Sequence, residues 1–149
     1  MSTRRPPGFW NWLLGRSDIY LDDGSDDCYM ERWRIVQTPW FQLRVHHILR
    51  SDYDRALHDH PFDFISLILS GSYMEITPES EAPIRWPLRL PHVYLPGELN
   101  IKRAENLHRL VLEAPVWTLV LAGAVRRKWG FKHPDGTWTP AKSSTNGDE

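Results

Sequence analysis

Residues 57–71, LHDHPFDFISLILSG, carry the pattern that decides the expected fold. His58 and His60 are separated by one residue, and on a β-strand that spacing places both imidazoles on the same face, close enough to share an ion. Residues 64–69 then form a nearly continuous apolar run, and Ser70-Gly71-Ser72 marks a turn after it. The stretch therefore predicts a pair of histidines beside a buried strand.

Short segments with strand character extend in both directions from this stretch. β-Branched, aromatic and leucine residues recur in runs that are separated by proline- and glycine-containing turns, and no helical period longer than two turns follows residue 30. Many short strands of this kind are typical of an all-β sandwich or barrel. The predicted runs are residues 33–36, 40–49, 73–76, 85–90, 92–95, 107–113, 117–121 and 125–131.

The chain of 149 residues is long enough for one domain. Residues 1–16 hold five large apolar side chains and predict an N-terminal aromatic arm with a short helical turn. Residues 17–138 are expected to form the β-barrel. Residues 139–149 are rich in Ser, Thr, Asn, Gly and charge, so a disordered tail is expected there.

Composition narrows the classes of partner. The chain carries 18 Lys and Arg against 19 Asp and Glu, a net charge of −1 that argues against a nucleic-acid partner. Its longest apolar run, residues 116–125, is about half of what a membrane span needs. The single Cys28 excludes an internal disulfide, so a cytoplasmic location is expected. The expected partner is a small-molecule substrate.

A third histidine adds to the pair. His108 opens another apolar run, 48 positions after His60. Two histidines from one strand and one from a neighbour would present three nitrogens to a metal ion and leave its other positions open, as in catalytic sites. An HxH pair alone discriminates poorly, because histidines also alternate with polar residues on exposed strands. The apolar strand and turn after the pair favour the metal site.

These residues resemble the cupin superfamily of small double-stranded β-helix (jelly-roll) barrels. The first cupin motif is HxH, a Glu a few residues later and a Gly after six more, which matches His58, His60 and Gly71 in spacing. His108 and the apolar run after it resemble the second motif. Phe64 stands at the position of the Glu ligand, although Asp63 beside it could replace that ligand if the strand bulges.

The resemblance implies a three-histidine metal site, as in the thiol dioxygenase branch of the cupins. The first hypothesis is an Fe(II) enzyme that reacts dioxygen with a small polar molecule. Two alternatives remain open: a zinc or manganese isomerase or hydrolase, with nickel as a further possible metal, and a ligand-binding module without turnover. Family analogy also allows a homodimer.

Further residues are candidates around this site. Asp59 and Asp63 flank the histidine pair and can either orient a ligand imidazole or satisfy backbone N–H groups. His47 shares its strand face with the apolar residues of its run, so it is the histidine expected to point inward, as a core residue or a ligand. The residues that can line a substrate pocket are Arg44, Tyr73, Glu75, Arg109 and Trp117.

Overall fold

Strands make up most of the described part of the chain, which in this computed structural model comprises residues 18–21, 28–52, 56–81 and 90–141. These residues include one short helix, Pro78–Glu81, and none that is long and apolar enough to cross a membrane. The strands are β1 (Asp18–Leu21), β2 (Cys28–Gln37), β3 (Phe41–Ile48), β4 (Leu57–His58), β5 (Phe64–Ser70), β6 (Tyr73–Ile76), β7 (His92–Tyr94), β8 (Leu99–Lys102), β9 (Arg109–Val111), β10 (Val116–Gly123), β11 (Gly130–Lys132) and β12 (Trp138–Pro140). The prediction of an all-β fold is confirmed.

Three antiparallel sheets form the barrel. The largest has six strands in the order β1-β2-β3-β10-β5-β8, and the two smaller sheets have the orders β12-β11-β4 and β7-β6-β9. An isolated antiparallel bridge between His58 and His108 joins the two smaller sheets. The histidines therefore lie where those sheets meet, facing the large sheet.

Strand β10 shows how the large sheet divides its two faces. Val116, Thr118, Val120 and Ala122 are buried, while the residues between them are half-buried or exposed. Because successive side chains of a strand point to opposite faces, this alternation assigns the first set to the inside of the barrel.

The inward face of β3 differs from the prediction. Gln42, Arg44, His46 and Ile48 face the interior, whereas the ring of His47 stacks on Trp117 at 4.0 Å on the outer face. The expectation that His47 points inward with its apolar neighbours was therefore wrong. It failed because the interior is polar at Gln42, Arg44 and His46, and the apolar residues Leu43 and Val45 share the outer face with His47.

A hydrophobic core fills one end of the barrel. It joins the large sheet to the sheet of β7, β6 and β9 through five buried residues, namely Ile48, Ile68, Tyr73, Leu110 and Val116. Gly71 lies in the turn between β5 and β6, beside this core. Its φ is +79°, and a Cβ there would lie 2.8 Å from the carbonyl oxygen of Pro115, so glycine fits both the backbone and the space.

The structure can be compared with the prediction at residues 139–141 near the C-terminal end, but not at the N-terminal arm. The arm, residues 1–16, lies outside the described residues. The tail was predicted to begin at residue 139, but Thr139 and Pro140 belong to β12 and pair with Phe131 and Gly130. Backbone pairing orders this segment without large apolar side chains, so that boundary was too early. Residues 142–149 lie outside the described part.

The predicted limits of one strand also differ from those in the structure. Of the predicted run 125–131, only its last two residues are in a strand, since β11 is Gly130–Lys132. The predicted run 85–90 falls almost entirely outside the described residues, which resume at Leu90.

Candidate metal centre

The backbone brings the three predicted histidines together. His58 lies at the end of β4 and His108 directly before β9, and each donates its N–H to the carbonyl of the other, at 2.8 and 3.0 Å. His60 follows two residues after His58, beyond the end of the strand. The ring centroids are 4.7 to 5.0 Å apart, and one ligand nitrogen from each ring lies within 4.8 Å of the others.

Glu75 fixes the orientation of His108. Both side chains are buried, and Nδ1 of His108 donates to Oε1 of Glu75 at 2.5 Å. In the neutral form of that imidazole, Nε2 carries the free lone pair, and it lies 3.3 Å from Nε2 of His60. The partners of a metal-binding histidine commonly set its tautomer in this way.

The carboxylate of Glu75 is held in its ionised form. Burial alone would raise its pKa, but hydrogen bonds from His108, Lys102 and Asn100 reverse that effect and lower the pKa to about 2. The ammonium of Lys102 is 2.7 Å from Oε2, and the amide of Asn100 donates to Oε1 at 3.1 Å. Glu75 was predicted to line the pocket, and it lies behind His108 instead.

Asp52 stands behind His58 in a similar way. Its Oδ2 is 3.6 Å from Nδ1 of His58, and the carboxylate is anchored by the hydroxyl of Tyr29 at 2.6 Å and the N–H of Leu110 at 2.7 Å. Asp52 lies in the segment between β3 and β4, six positions before His58 and outside any motif. Sequence reasoning missed it because no local spacing places it near the ring.

Burial disfavours the charged forms of His58 and His60. It lowers the pKa of His58 to about 4, a change that the nearby Asp52 opposes and His108 reinforces. It also lowers the pKa of His60 well below its ordinary value, together with the effects of His58 and His108. Neutral imidazoles present the lone pairs that a metal ion requires.

The residues present fit a divalent transition metal. Two nitrogens bound to one ion at about 2.1 Å each lie about 3.0–3.4 Å apart, and the Nε2 atoms of His60 and His108 are 3.3 Å apart. Two ring nitrogens at this distance share either a proton or a cation. A set of three imidazoles suits zinc, iron, copper and nickel.

The two aspartates that flank the histidine pair have other partners. Asp59 accepts from the N–H of Gly130 at 2.7 Å and pairs with Arg127 at 2.8 Å. Asp63 is 55% exposed and accepts from Ala104 and Arg126, both at 2.7 Å. The structure gives neither of them a bond to an imidazole. Asp59 alternates with the histidines along the chain, so its side chain points away from theirs.

The imidazoles open into a cavity of about 650 Å³ inside the barrel. Of the predicted pocket residues, Arg44 and Tyr73 line it, whereas Arg109 and Trp117 do not. The lining also includes polar residues outside the predicted pocket set, namely Arg32, Gln42, His46, Ser66, Asn100, Thr118, Arg127 and Lys128. No Asp or Glu belongs to the lining over the described ranges.

Phe64 occupies the side of the site where the cupin motif has a carboxylate. Its ring meets that of His60 edge-on, with centroids 4.7 Å apart. The site over residues 56–81 and 90–141 is therefore a three-histidine set beside an apolar ring, without a carboxylate among the grouped ligands.

Comparisons with known proteins bear on the fold. No protein-family model matches the chain, and no curated protein matches it in sequence. KdgF from Halomonas sp. is similar in structure over 73% of this chain and 89% of its own, with a TM-score of 0.52 and 16% identity. The polyketide cyclase RemF from Streptomyces resistomycificus matches over 68% and 69%, with a TM-score of 0.54 and 16% identity.

A third similar structure is described as a cupin. The RmlC-like cupin from Shewanella frigidimarina matches over 74% of this chain and 86% of its own, with a TM-score of 0.52 and 10% identity. The chain therefore has the fold of the cupin superfamily, as its histidine motif predicts.

Proposed function

We propose that this protein is a metal-dependent oxidoreductase of the dioxygenase type, in which His58, His60 and His108 hold a ferrous ion. The observation that carries the proposal is the set of three imidazoles that face one cavity, with His108 held by a hydrogen bond to Glu75. When bound, ferrous iron supplies the electrons that dioxygen needs to react with an organic substrate. The chain's own residues hold the ion, orient its ligands and limit the access of water.

The composition of the cavity wall supports oxidation over acid–base chemistry. An isomerase or hydrolase needs a side chain that exchanges a proton near neutral pH. The described lining has no carboxylate. His46 is a poor base, because burial, together with the charges of Arg44 and Arg32, lowers its pKa to about 3. Such a wall suits a reaction in which the oxidant does the chemistry and the protein positions the substrate.

Phe64 contributes to this environment. Its ring packs edge-on against His60, where a charged carboxylate would otherwise reach the ion. An apolar group at this place leaves the ion its full charge and lowers the local dielectric.

A zinc or manganese enzyme that acts by Lewis-acid polarisation is the second candidate. Lys128 favours it, because this amine lines the cavity and amines can transfer protons. The fold also occurs in the polyketide cyclase RemF. A binding module without turnover is the third candidate.

Oxygen consumption separates the three candidates. Protein purified without added metal or chelator is analysed for metals, reloaded with Fe(II) under nitrogen, and mixed with air-saturated buffer and a panel of small polar acids and thiols. The proposal expects iron-dependent oxygen uptake that His60→Ala abolishes and that His92→Ala, which changes an exposed histidine, leaves intact. Stoichiometric zinc with turnover but no oxygen uptake would establish the second candidate. Ligand binding without any turnover would establish the third.

A further inference from the structure

The wall of the cavity formed by the large sheet carries a row of polar side chains. Arg32 of β2 lies directly opposite His46 of β3, which lies opposite Thr118 of β10. All three line the cavity, and Arg32 and Thr118 are 3% and 1% exposed. Arg44, two residues before His46 on the same face, is 5% exposed and lines the cavity as well.

The row contains buried hydrogen-bonding atoms without partners. Nε2 of His46 and Oγ1 of Thr118 are both buried and contact no donor or acceptor among the described residues. Leaving a buried polar group unsatisfied costs roughly 1–3 kcal/mol, so such atoms are uncommon. Both belong to side chains on the cavity wall, where a ligand can satisfy them.

Cationic side chains lie around the row. Arg32, Arg44, Arg127 and Lys128 line the same cavity, and the described lining holds no carboxylate. The charge of Arg127 is offset by Asp59 at 2.8 Å. Arg44 lies over the ring of Phe62, at 5.4 Å from its centroid, and hydrogen-bonds to Gln42.

From this arrangement we propose that Arg32, Arg44, His46 and Thr118 form a binding subsite for an oxyanion, a carboxylate or a phosphate, of the substrate. The two guanidinium groups supply charge, and the imidazole N–H and the hydroxyl supply directed donors. Guanidinium groups bind planar carboxylates and phosphates through paired hydrogen bonds. The inference deepens the proposed function, because the anion on the sheet side would direct the rest of the substrate toward His58, His60 and His108.

Calorimetric titration tests the subsite directly and needs no turnover. Succinate and phosphate are titrated separately into the protein as purified, with succinamide as the neutral counterpart of succinate. If the subsite exists, at least one of the two oxyanions binds and succinamide does not. Binding of succinate alone would identify a carboxylate, binding of phosphate alone a phosphate, and binding of both a general oxyanion site.

Variants locate the binding. Arg44→Gln should weaken oxyanion binding about 10- to 100-fold, the range for a hydrogen bond to a charged group. Thr118→Val keeps the shape of its side chain and should weaken binding about 3- to 10-fold, which provides a second test if Arg44→Gln does not fold. Arg126→Gln is the matched control, because Arg126 pairs with Asp63 and Glu105 on the surface.

The variant His60→Ala distinguishes anion binding at the metal from anion binding at the subsite. If the subsite holds the anion, this variant loses metal and keeps most of its oxyanion affinity. Wild-type affinity in both Arg44→Gln and Thr118→Val would overturn the subsite, as would equal binding of succinamide. Metal analysis of the same samples keeps the two proposals apart, since normal metal content without oxyanion binding refutes this inference alone.

Discussion

Glu75 is the residue whose substitution tests the arrangement of the centre most severely. Its carboxylate accepts from Nδ1 of His108 at 2.5 Å and pairs with Lys102 at 2.7 Å. Glu75→Gln keeps the size of the side chain and removes the charge. A glutamine can still accept from His108, but its NH₂ group would then face the ammonium of Lys102, and two donors repel.

Metal affinity should fall because His108 loses its charged partner. Removal of an outer partner of a ligand histidine costs about 10- to 100-fold in affinity, so we expect a decrease in that range. His108→Ala should cost much more, because it removes a nitrogen ligand itself. The prediction therefore includes a higher metal affinity for Glu75→Gln than for His108→Ala.

Stability should also decrease, and in a way that depends on pH. The pKa of Glu75 falls from 4.5 to about 2 on folding, the combined result of burial, which opposes ionisation, and hydrogen bonds from His108, Lys102 and Asn100, which outweigh it. At about 1.4 kcal/mol per pH unit, the carboxylate contributes about 3 kcal/mol. Because the pKa is depressed, this stability is present above pH 4.5 and is lost as the pH falls toward 2.

Competition with a chromophoric chelator, with Co(II) or Zn(II) as the metal, measures the affinities, and urea unfolding at pH 7 and pH 3.5 measures the stabilities. Glu105→Gln is the control, since Glu105 is 54% exposed and pairs with Arg126 on the surface. Wild-type metal affinity in Glu75→Gln would refute the role assigned to this carboxylate. A loss of stability as large at pH 3.5 as at pH 7 would contradict the linkage to its ionisation.

Three further predictions follow from the described contacts. Asp63→Asn should leave metal affinity unchanged, because the carboxylate is committed to Ala104 and Arg126; loss of metal on chelator titration would make Asp63 a ligand. Burial, with Arg44 and Arg32, depresses the pKa of His46 from 6.5 to about 3, so the unfolded chain takes up a proton below pH 6.5 that the folded protein does not. The melting temperature should therefore fall from pH 7 to pH 5 and fall less in His46→Gln; equal slopes would refute this. Deletion of residues 1–16 should lower the melting temperature or change the mass measured by light scattering, since burial of one large apolar side chain is worth about 1.5–3 kcal/mol. Deletion of residues 142–149 should do neither, whereas deletion from residue 139 should destabilise because it removes part of β12; the reverse pattern would overturn this assignment of the chain ends.

The fold and the three histidines could be predicted because both depend on local spacing. Alternation with a period of two predicts strands, and the HxH pair places two rings on one side of the chain. The bridge between His58 and His108 then follows from antiparallel pairing of two strands that each carry a histidine motif. That pairing joins residues far apart in sequence, and the resemblance to the two cupin motifs is what indicated it.

The residues around the histidines could not be predicted in the same way. Asp59 and Asp63 are the carboxylates nearest in sequence, but Glu75 and Asp52 are the ones beside the rings. Which carboxylate reaches a ring depends on how strands from different sheets come together, and sequence proximity to a histidine does not measure this.

The strand face of His46 shows a second limit. The rule that the apolar face of a strand points inward assumes an apolar interior. In β3 the inward face carries Gln42, Arg44 and His46, because this part of the sheet presents polar side chains to the cavity. The rule therefore failed at the part of the sheet where the proposed binding site lies.

Metal analysis of His108→Ala beside the wild-type protein tests the central claim most directly. Both proteins are purified without added metal or chelator and are measured by elemental analysis, with circular dichroism to confirm the fold and His92→Ala as the control. The three-histidine centre predicts about one transition-metal ion per chain in the wild type and in the control, and almost none in a folded His108→Ala. A wild-type protein that takes up no metal, or a His108→Ala variant that keeps its full metal content, would contradict the account.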